Sequence, residues 1–171
     1  SHNRAQFFSA TEEIINSVNM PDIGVQIGAR FRFNGLGMLG HTMISSADLA
    51  QAISTYLKYR DAFGSIFQVT ARLSNRGLLV TADIQAPMEN AQRCLLENWI
   101  TTWSHLPELL SEDQQVFTAI HIPLDEPHYS ETFRSLFKCP VHFNSKKPVI
   151  HIRPDVIHIP LKYANRGVFQ R

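Results

Sequence analysis

Glycine, histidine, cysteine and arginine supply what chemistry this sequence could perform. Gly35, Gly37 and Gly40 spell G-x-G-x-x-G, a spacing that lets a backbone approach a pyrophosphate. That use requires the glycines to end a strand and enter a helix, with an acid closing the next strand. Here Met38 to Ser45 separates the motif from the first strong helix cap. The next strand-like run, Ile66 to Leu73, ends in Ser74 and Asn75, and Asp61 falls within the intervening helix. The glycines are therefore read as a tight apolar turn packed on a core. None of the eight histidines stands in H-E-x-x-H, and Cys94 and Cys139 form no C-x-x-C. His121, His151 and His158 alternate with apolar residues and read as exposed or hydrogen-bonded strand positions. There is no G-x-S-x-G and no cysteine in a nucleophile's context, so no acid, base or nucleophile set is specified. Arginine is the one chemical surplus, eleven against five lysines. Arg30 and Arg32 flank Phe31 before the glycine turn, and Arg60 lies on the following helix. A guanidinium captures carboxylate or phosphate bidentately, whereas surface ion pairing is the plain alternative for each of these residues.

The elements that position these residues follow from hydrophobic period and punctuation. Leu49, Ile53, Tyr56, Leu57 and Arg60 recur at helical spacing in the best-marked helix of the chain. Ser45 is expected to cap it, Asp48 to complete a capping box, and Gly64 to stop it. Before it, Ala5 to Val18 reads as a helix with Phe7, Phe8, Ile14 and Ile15 apolar, ended by Pro21. Ile23, Val25 and Ile27 alternate, which predicts a strand or a last helical turn running to Phe33. Ile66–Leu73 and Leu78–Gln85 form a hairpin across Ser74-Asn75-Arg76-Gly77. Pro87 suits a helix's first turn, and a long helix runs from Met88 to Ser104 or on to Leu110. Its apolar face is expected at Ala91, Cys94 or Leu95, Asn98 or Trp99, Thr102 and Leu106, with Trp99 and Trp103 on one side. A strand at Val116–Pro123, a helix at Ser130–Phe137, and strands at Val141–Phe143 and Val149–Ile152 follow. Val156–Leu161 reads as an extended edge. The fold class is α+β: one domain with a mostly antiparallel sheet packed with several helices.

Length and charge narrow the function classes. The 171 residues suit one domain, and a formal net charge of +1 gives no overall field for nucleic acid or a membrane. The charge is unevenly spread. Eight Lys or Arg lie from Arg134 to Arg171, while acids dominate from Glu89 to Glu126. Two cysteines make no disulfide framework, and they read as small buried hydrophobes of a reducing, cytoplasmic compartment. No run reaches the length of a membrane span. No helix-turn-helix pair for DNA is visible.

Two patches resemble one known family. The run GVQIGARFRFNGLGMLGHTMISSADLAQAISTYLKYRDAF carries glycines three positions apart (Gly37, Gly40), the Ser45-Ser46 pair and Tyr59-Arg60. It resembles the N-terminal effector-binding, arabinose-binding-like domain of AraC/XylS-type bacterial transcription regulators. The run FRSLFKCPVHFNSKKPVIHI, from Phe133 to Ile152, is similar to that family's Leu-Phe-x-Cys-Pro-Val-x-Phe segment and the strand after it. Together the resemblance spans Ile23 to Leu161. It implies a domain that senses a small-molecule effector, works as a homodimer, and meets promoter DNA through a C-terminal helix-turn-helix domain absent from this chain. Residues 1–4 then read as a tag remnant and disordered start, 5–163 as the sensing domain, and 164–171 as the start of a linker. Neither an enzymatic activity, a cofactor nor a membrane is implied. His41 departs from the Tyr or aliphatic residue common at its position in relatives. Arg30, Met38, His41, Tyr56, Arg60 and Trp99 are the expected ligand-binding residues, around a pocket between the central helix, the Trp-bearing helix and the sheet. A ligand-free dimerisation or protein-interaction module is the alternative, and it predicts a closed core with an exposed apolar face. An enzyme of unknown reaction ranks last.

Overall fold

The computed structural model describes residues 10, 12–17, 19–60, 67–84 and 88–164. The expected tag remnant, Phe7, Phe8, Val18, the Gly64 helix stop and Pro87 lie outside these residues. Among the described residues there are six helices and a five-stranded sheet. The helices are α1 (residues 12–17), α2 (Ile23–Ala29), α3 (Met38–Ile44), α4 (Leu49–Tyr59), α5 (Asn90–Thr102) and α6 (Ser130–Phe137). The strands are β1 (Phe67–Ser74), β2 (Gly77–Ile84), β3 (Phe117–His121), β4 (Val141–His142) and β5 (Val149–Ile152). Their order in the sheet is β1-β2-β5-β3-β4. Every pairing is antiparallel except β3 with β4. The α+β class and its mostly antiparallel sheet are as the sequence predicts.

Side-chain alternation explains which face of the sheet is covered. Val80, Ile150, Ile120 and Val141 stand opposite one another across β2, β5, β3 and β4, and all four are buried. Phe117 packs edge-on against Phe137 of α6, with ring centres 4.9 Å apart. The hairpin forms as expected: Ser74 pairs with Gly77, leaving Asn75-Arg76 as a two-residue turn.

Four local expectations are resolved or corrected. Of the two readings for Ile23 onward, strand or last helical turn, the helical one holds, as a separate helix α2 over Ile23–Ala29, and the reason lies in its glycines. Gly24 and Gly28, one turn apart, lay α2 directly on α5; a methyl group at Gly24 would run into the Cys94 carbonyl, and one at Gly28 into Thr101 and the Asn98 carbonyl. The glycine-rich turn holds a short 3-10 helix (Phe33–Leu36) and then α3, so Gly40 does enter a helix. What precedes the triad is α2 rather than a strand, which removes the geometry a dinucleotide needs. The cap of α4 is Asp48, whose carboxylate accepts from Gln51 N at 2.9 Å while Gln51 Oε1 accepts from Ala47 N at 2.7 Å. Ser45 and Ser46 instead donate to carbonyls at the end of α3. Finally, the stretch after β5 forms a 3-10 turn (Pro154–Val156) and further turns instead of an extended edge.

The long helix is α5, which tightens at Trp103 into a 3-10 segment (Trp103–Leu109). Pro107 explains the change, because its ring would clash with the Trp103 carbonyl in a continuing α-helix. The buried face of α5 carries Ala91, Leu96 and Ile100. The stripe Leu95, Asn98, Trp99 and Thr102, expected to be its core face, is half-buried and looks onto a cavity.

Candidate functional site

The cavity has a volume of about 720 Å³, within the range of small-molecule sites. Four structural units enclose it. The end of α2 and the loop after it contribute Ile27, Arg30, Phe31 and Phe33. From α3 come Leu39 and Met43, and from α4 Tyr56 and Arg60. The third unit is α5 with its 3-10 extension, adding Trp103 and Leu106 to the stripe already named. Phe67 of β1 is the sheet's contribution.

Aromatic rings dominate the wall and brace one another. Trp99 and Trp103 meet edge-on at 5.9 Å, Tyr56 and Trp103 at 5.2 Å, and Phe67 lies 5.7 Å from Trp99. Such pairs fix the shape of an apolar surface beyond what burial alone supplies. Phe31 and Phe33 form a second aromatic pair at 5.2 Å on the opposite loop. His105 ties that loop down, with Nε2 2.9 Å from the Gly28 carbonyl and its ring beside Phe31.

Polar groups in the wall are few. Thr102 Oγ1 donates to the Asn98 carbonyl at 2.8 Å, so that hydroxyl is satisfied within its own helix. Trp99 Nε1 donates to Tyr56 Oη at 3.2 Å. Burial pushes the Tyr56 phenol above its ordinary range, against the smaller opposing effects of that hydrogen bond and of the nearby Arg60 charge. Arg60 Nη1 donates to the Leu57 carbonyl at 2.7 Å, which draws its guanidinium back along α4. No carboxylate lines this cavity among the described residues.

Arg30, Tyr56, Arg60 and Trp99, of the six residues nominated from sequence, line the cavity. Met38 is 78% exposed and His41 is exposed; neither belongs to its wall. Both sit on the solvent side of α3, whose inward residues are Leu39, Gly40 and Met43. Sequence reasoning missed Phe31, Phe33, Phe67, Asn98 and Trp103 as wall residues. The polar Asn98 and Thr102 in an otherwise apolar stripe were the available signal, since a packed core would have excluded them.

A smaller recess of about 460 Å³ lies between α1, the start of α2, α5 and the loop before α6. Glu97 faces it and is 2% exposed. Tyr129 Oη donates to Glu97 Oε1 at 2.8 Å, and Arg93 Nε stands 3.6 Å away. Burial pushes the Glu97 carboxyl up to about 7, with the Tyr129 bond and Arg93 opposing and Asp22 adding slightly.

The nucleophile and metal chemistries find little support in the geometry. Cys94 and Cys139 are free thiols that burial pushes up to about 11, so both are protonated near neutrality. His121 and His142 stack with ring centres 5.0 Å apart, and His121 is held below its usual range by burial first and by His142 and His151 next. No group of three or more His, Cys, Asp or Glu among the described residues could hold a metal ion. No described helix is long and apolar enough to cross a membrane.

Comparison with known proteins agrees with this arrangement. The chain is 21% identical over 150 residues to the ornithine utilization regulator of Pseudomonas aeruginosa, covering 88% of this chain and 44% of that protein. It superposes on the crystal structure of the transcriptional regulator CdpR from Pseudomonas aeruginosa with a TM-score of 0.70 at 18% identity, covering 89% of this chain and 50% of that one. The chain thus spans about half the length of the regulators it matches. Residues 3–161 match the arabinose-binding domain found at the N-terminus of AraC transcription regulators, and the chain belongs to that family.

Proposed function

We propose that this chain is the small-molecule-sensing domain of an AraC-type regulator, and that its effector occupies the aromatic cavity between α2, α3, α4 and α5. The observation that carries the reading is the cavity itself, about 720 Å³ of mostly apolar space braced by paired rings. A ligand-free interaction module would be expected to close such a space with side chains, because an unfilled apolar void forfeits packing energy. Effector binding biases the geometry of a homodimer, or the contacts of a DNA-binding domain elsewhere in the protein, and so alters promoter binding. A coupling of about 1–3 kcal/mol between the two sites suffices for such control. The similar Pseudomonas regulator is named for ornithine utilization.

A thermal-melt screen against apolar, amphipathic and polar metabolites tests the reading. A ligand at a hundred times its dissociation constant stabilises the folded state by about 2.7 kcal/mol. For a chain of this size the melting temperature rises by roughly 5–10 °C. A hit whose effect disappears when the cavity is filled by Thr102→Trp supports the reading. A flat screen on a cooperatively melting sample overturns it.

A further inference from the structure

One proton in the cavity wall is unaccounted for. An indole N–H can only donate, so Tyr56 Oη is the acceptor in its 3.2 Å contact with Trp99 Nε1. The hydroxyl's own proton finds no acceptor among the described residues. It belongs to a ring fixed edge-on against Trp103, on a residue that lines the cavity. Arg60 follows one turn later on α4 and lines the same cavity, and its charge is felt at the Tyr56 oxygen. Burial keeps the phenol protonated, so its hydroxyl has a proton to donate. Arg30 adds a second positive charge at the exposed rim. The rest of the wall is aromatic or aliphatic apart from Asn98 and Thr102, whose hydroxyl donates to the Asn98 carbonyl.

We propose that the cavity takes a monoanionic amphiphile: a carboxylic acid with an aromatic or aliphatic body, whose carboxylate accepts the Tyr56 hydroxyl proton beside Arg60 while its body lies against Trp99, Trp103 and Phe67. This deepens the sensor reading and rests on it. The Trp99 bond strengthens the assignment, because a hydroxyl that accepts from one donor becomes a better donor to the next acceptor. A single negative charge fits better than two. The single hydroxyl proton that lacks an acceptor matches one head group, and each further charge in an apolar cavity adds a desolvation penalty.

The test compares acids with their neutral counterparts on the whole chain. Dissociation constants are measured by calorimetry for 4-phenylbutyrate and decanoate, and for 4-phenylbutyramide and decanamide. The acids are expected to bind at least about tenfold more tightly than the amides, as a hydrogen bond to a charged group implies. Arg60→Met should bring the acid-to-amide ratio towards one. Tyr56→Phe keeps the ring and should weaken the acids about tenfold while leaving the unliganded melting temperature near the parent's. Amides binding as tightly as acids would overturn the anion assignment and leave the sensor reading standing. If neither acids nor amides bind, both fall. An acid preference that survives unchanged in both variants also overturns the assignment, because the charge is then being read elsewhere.

Discussion

Glu97 shows how one buried group sets a measurable property of the domain. Its carboxyl, 2% exposed on α5, is pushed up to about 7 from an ordinary 4.5, chiefly by burial. Tyr129 and Arg93 pull the other way without fully offsetting the desolvation, and the Tyr129 bond fastens α5 to the loop before α6. Between about pH 4.5 and 7 the folded chain therefore holds a proton that the unfolded chain has released. The folded state binds more protons in this window, so stability is fully present below the unfolded value and is lost as pH rises through the folded one. Denaturant titrations should give a stability lower at pH 8 than at pH 5 by on the order of 2–3 kcal/mol from this group alone. Glu97→Gln keeps an acceptor for Tyr129 and removes the charge, so its stability profile should be flatter than the parent's by that amount. Contributions common to both proteins drop out of the difference. If the two profiles are parallel, Tyr129 and Arg93 fully offset the desolvation and the Glu97 carboxyl is ionised across this window in the folded state.

The contact between α2 and α5 shows the same dependence on detail at the level of elements. Gly24 and Gly28 face α5 with no room for a methyl group, since the obstacles are the Cys94 and Asn98 carbonyls and the Thr101 side chain. In an isolated helix, Gly to Ala is stabilising by about 1 kcal/mol. Here the clash should win, because backbone carbonyls do not yield without moving the helix. Gly28→Ala is expected to lose about 1–3 kcal/mol net, read as a drop in the denaturation midpoint. Because Ile27 and Arg30 line the cavity from the same helix, effector stabilisation should fall with it. A gain in stability would mean that α2 packs further from α5. These glycines also mark what the sequence made legible. Helix α6 and the β1–β2 hairpin were readable to within a residue, because period and turn chemistry agree there with tertiary structure. Helix α2 was not, because Ile23, Val25 and Ile27 alternate like a strand while the decisive signal is glycine spacing against a partner helix. Similarly, the stripe of α5 that carries Trp99 was recognisable as important yet assigned to the core. Local pattern shows that a helix face is shielded from water, but not whether side chains or a ligand space lie across from it. Four of six nominated wall residues line the cavity, three of them because α4 and α5 were recognised as helices. Met38 and His41 were lost with α3, whose glycines hid a helix and therefore its facing.

Across the whole molecule, both major walls of the cavity converge on one segment of chain. Helix α4 presents Tyr56 and Arg60 to the cavity near its C-terminal end, while its N-terminal end is bound to residues 157–161. Ala50 N, one of the amides a helix start leaves without an intrahelical partner, donates to the Ile157 carbonyl at 3.3 Å. Leu161 N donates to the Ala47 carbonyl at 3.0 Å, and His158 Nδ1 lies 3.2 Å from the capping carboxylate of Asp48. The other wall joins in through Lys162, whose N–H donates to the Leu109 carbonyl at 2.9 Å, at the end of the 3-10 segment that carries Trp103 and Leu106. A ligand that draws α4 and this segment together therefore acts on residues 157–162 through rigid elements and backbone hydrogen bonds, which is a physical route for coupling. Hydrogen exchange with and without a bound effector measures it. The Leu161 and Lys162 amides should exchange more slowly in the complex, by a larger factor than central sheet amides such as Ile150, whose protection reports global stability. Protection confined to the Phe31–Leu36 loop, with Leu161 and Lys162 following only the global change, would show that the cavity is not mechanically connected to the far end of the domain. In that case any regulation would have to work through the surface around α2 and α3, and the search for a coupling variant should move from α4 to those helices.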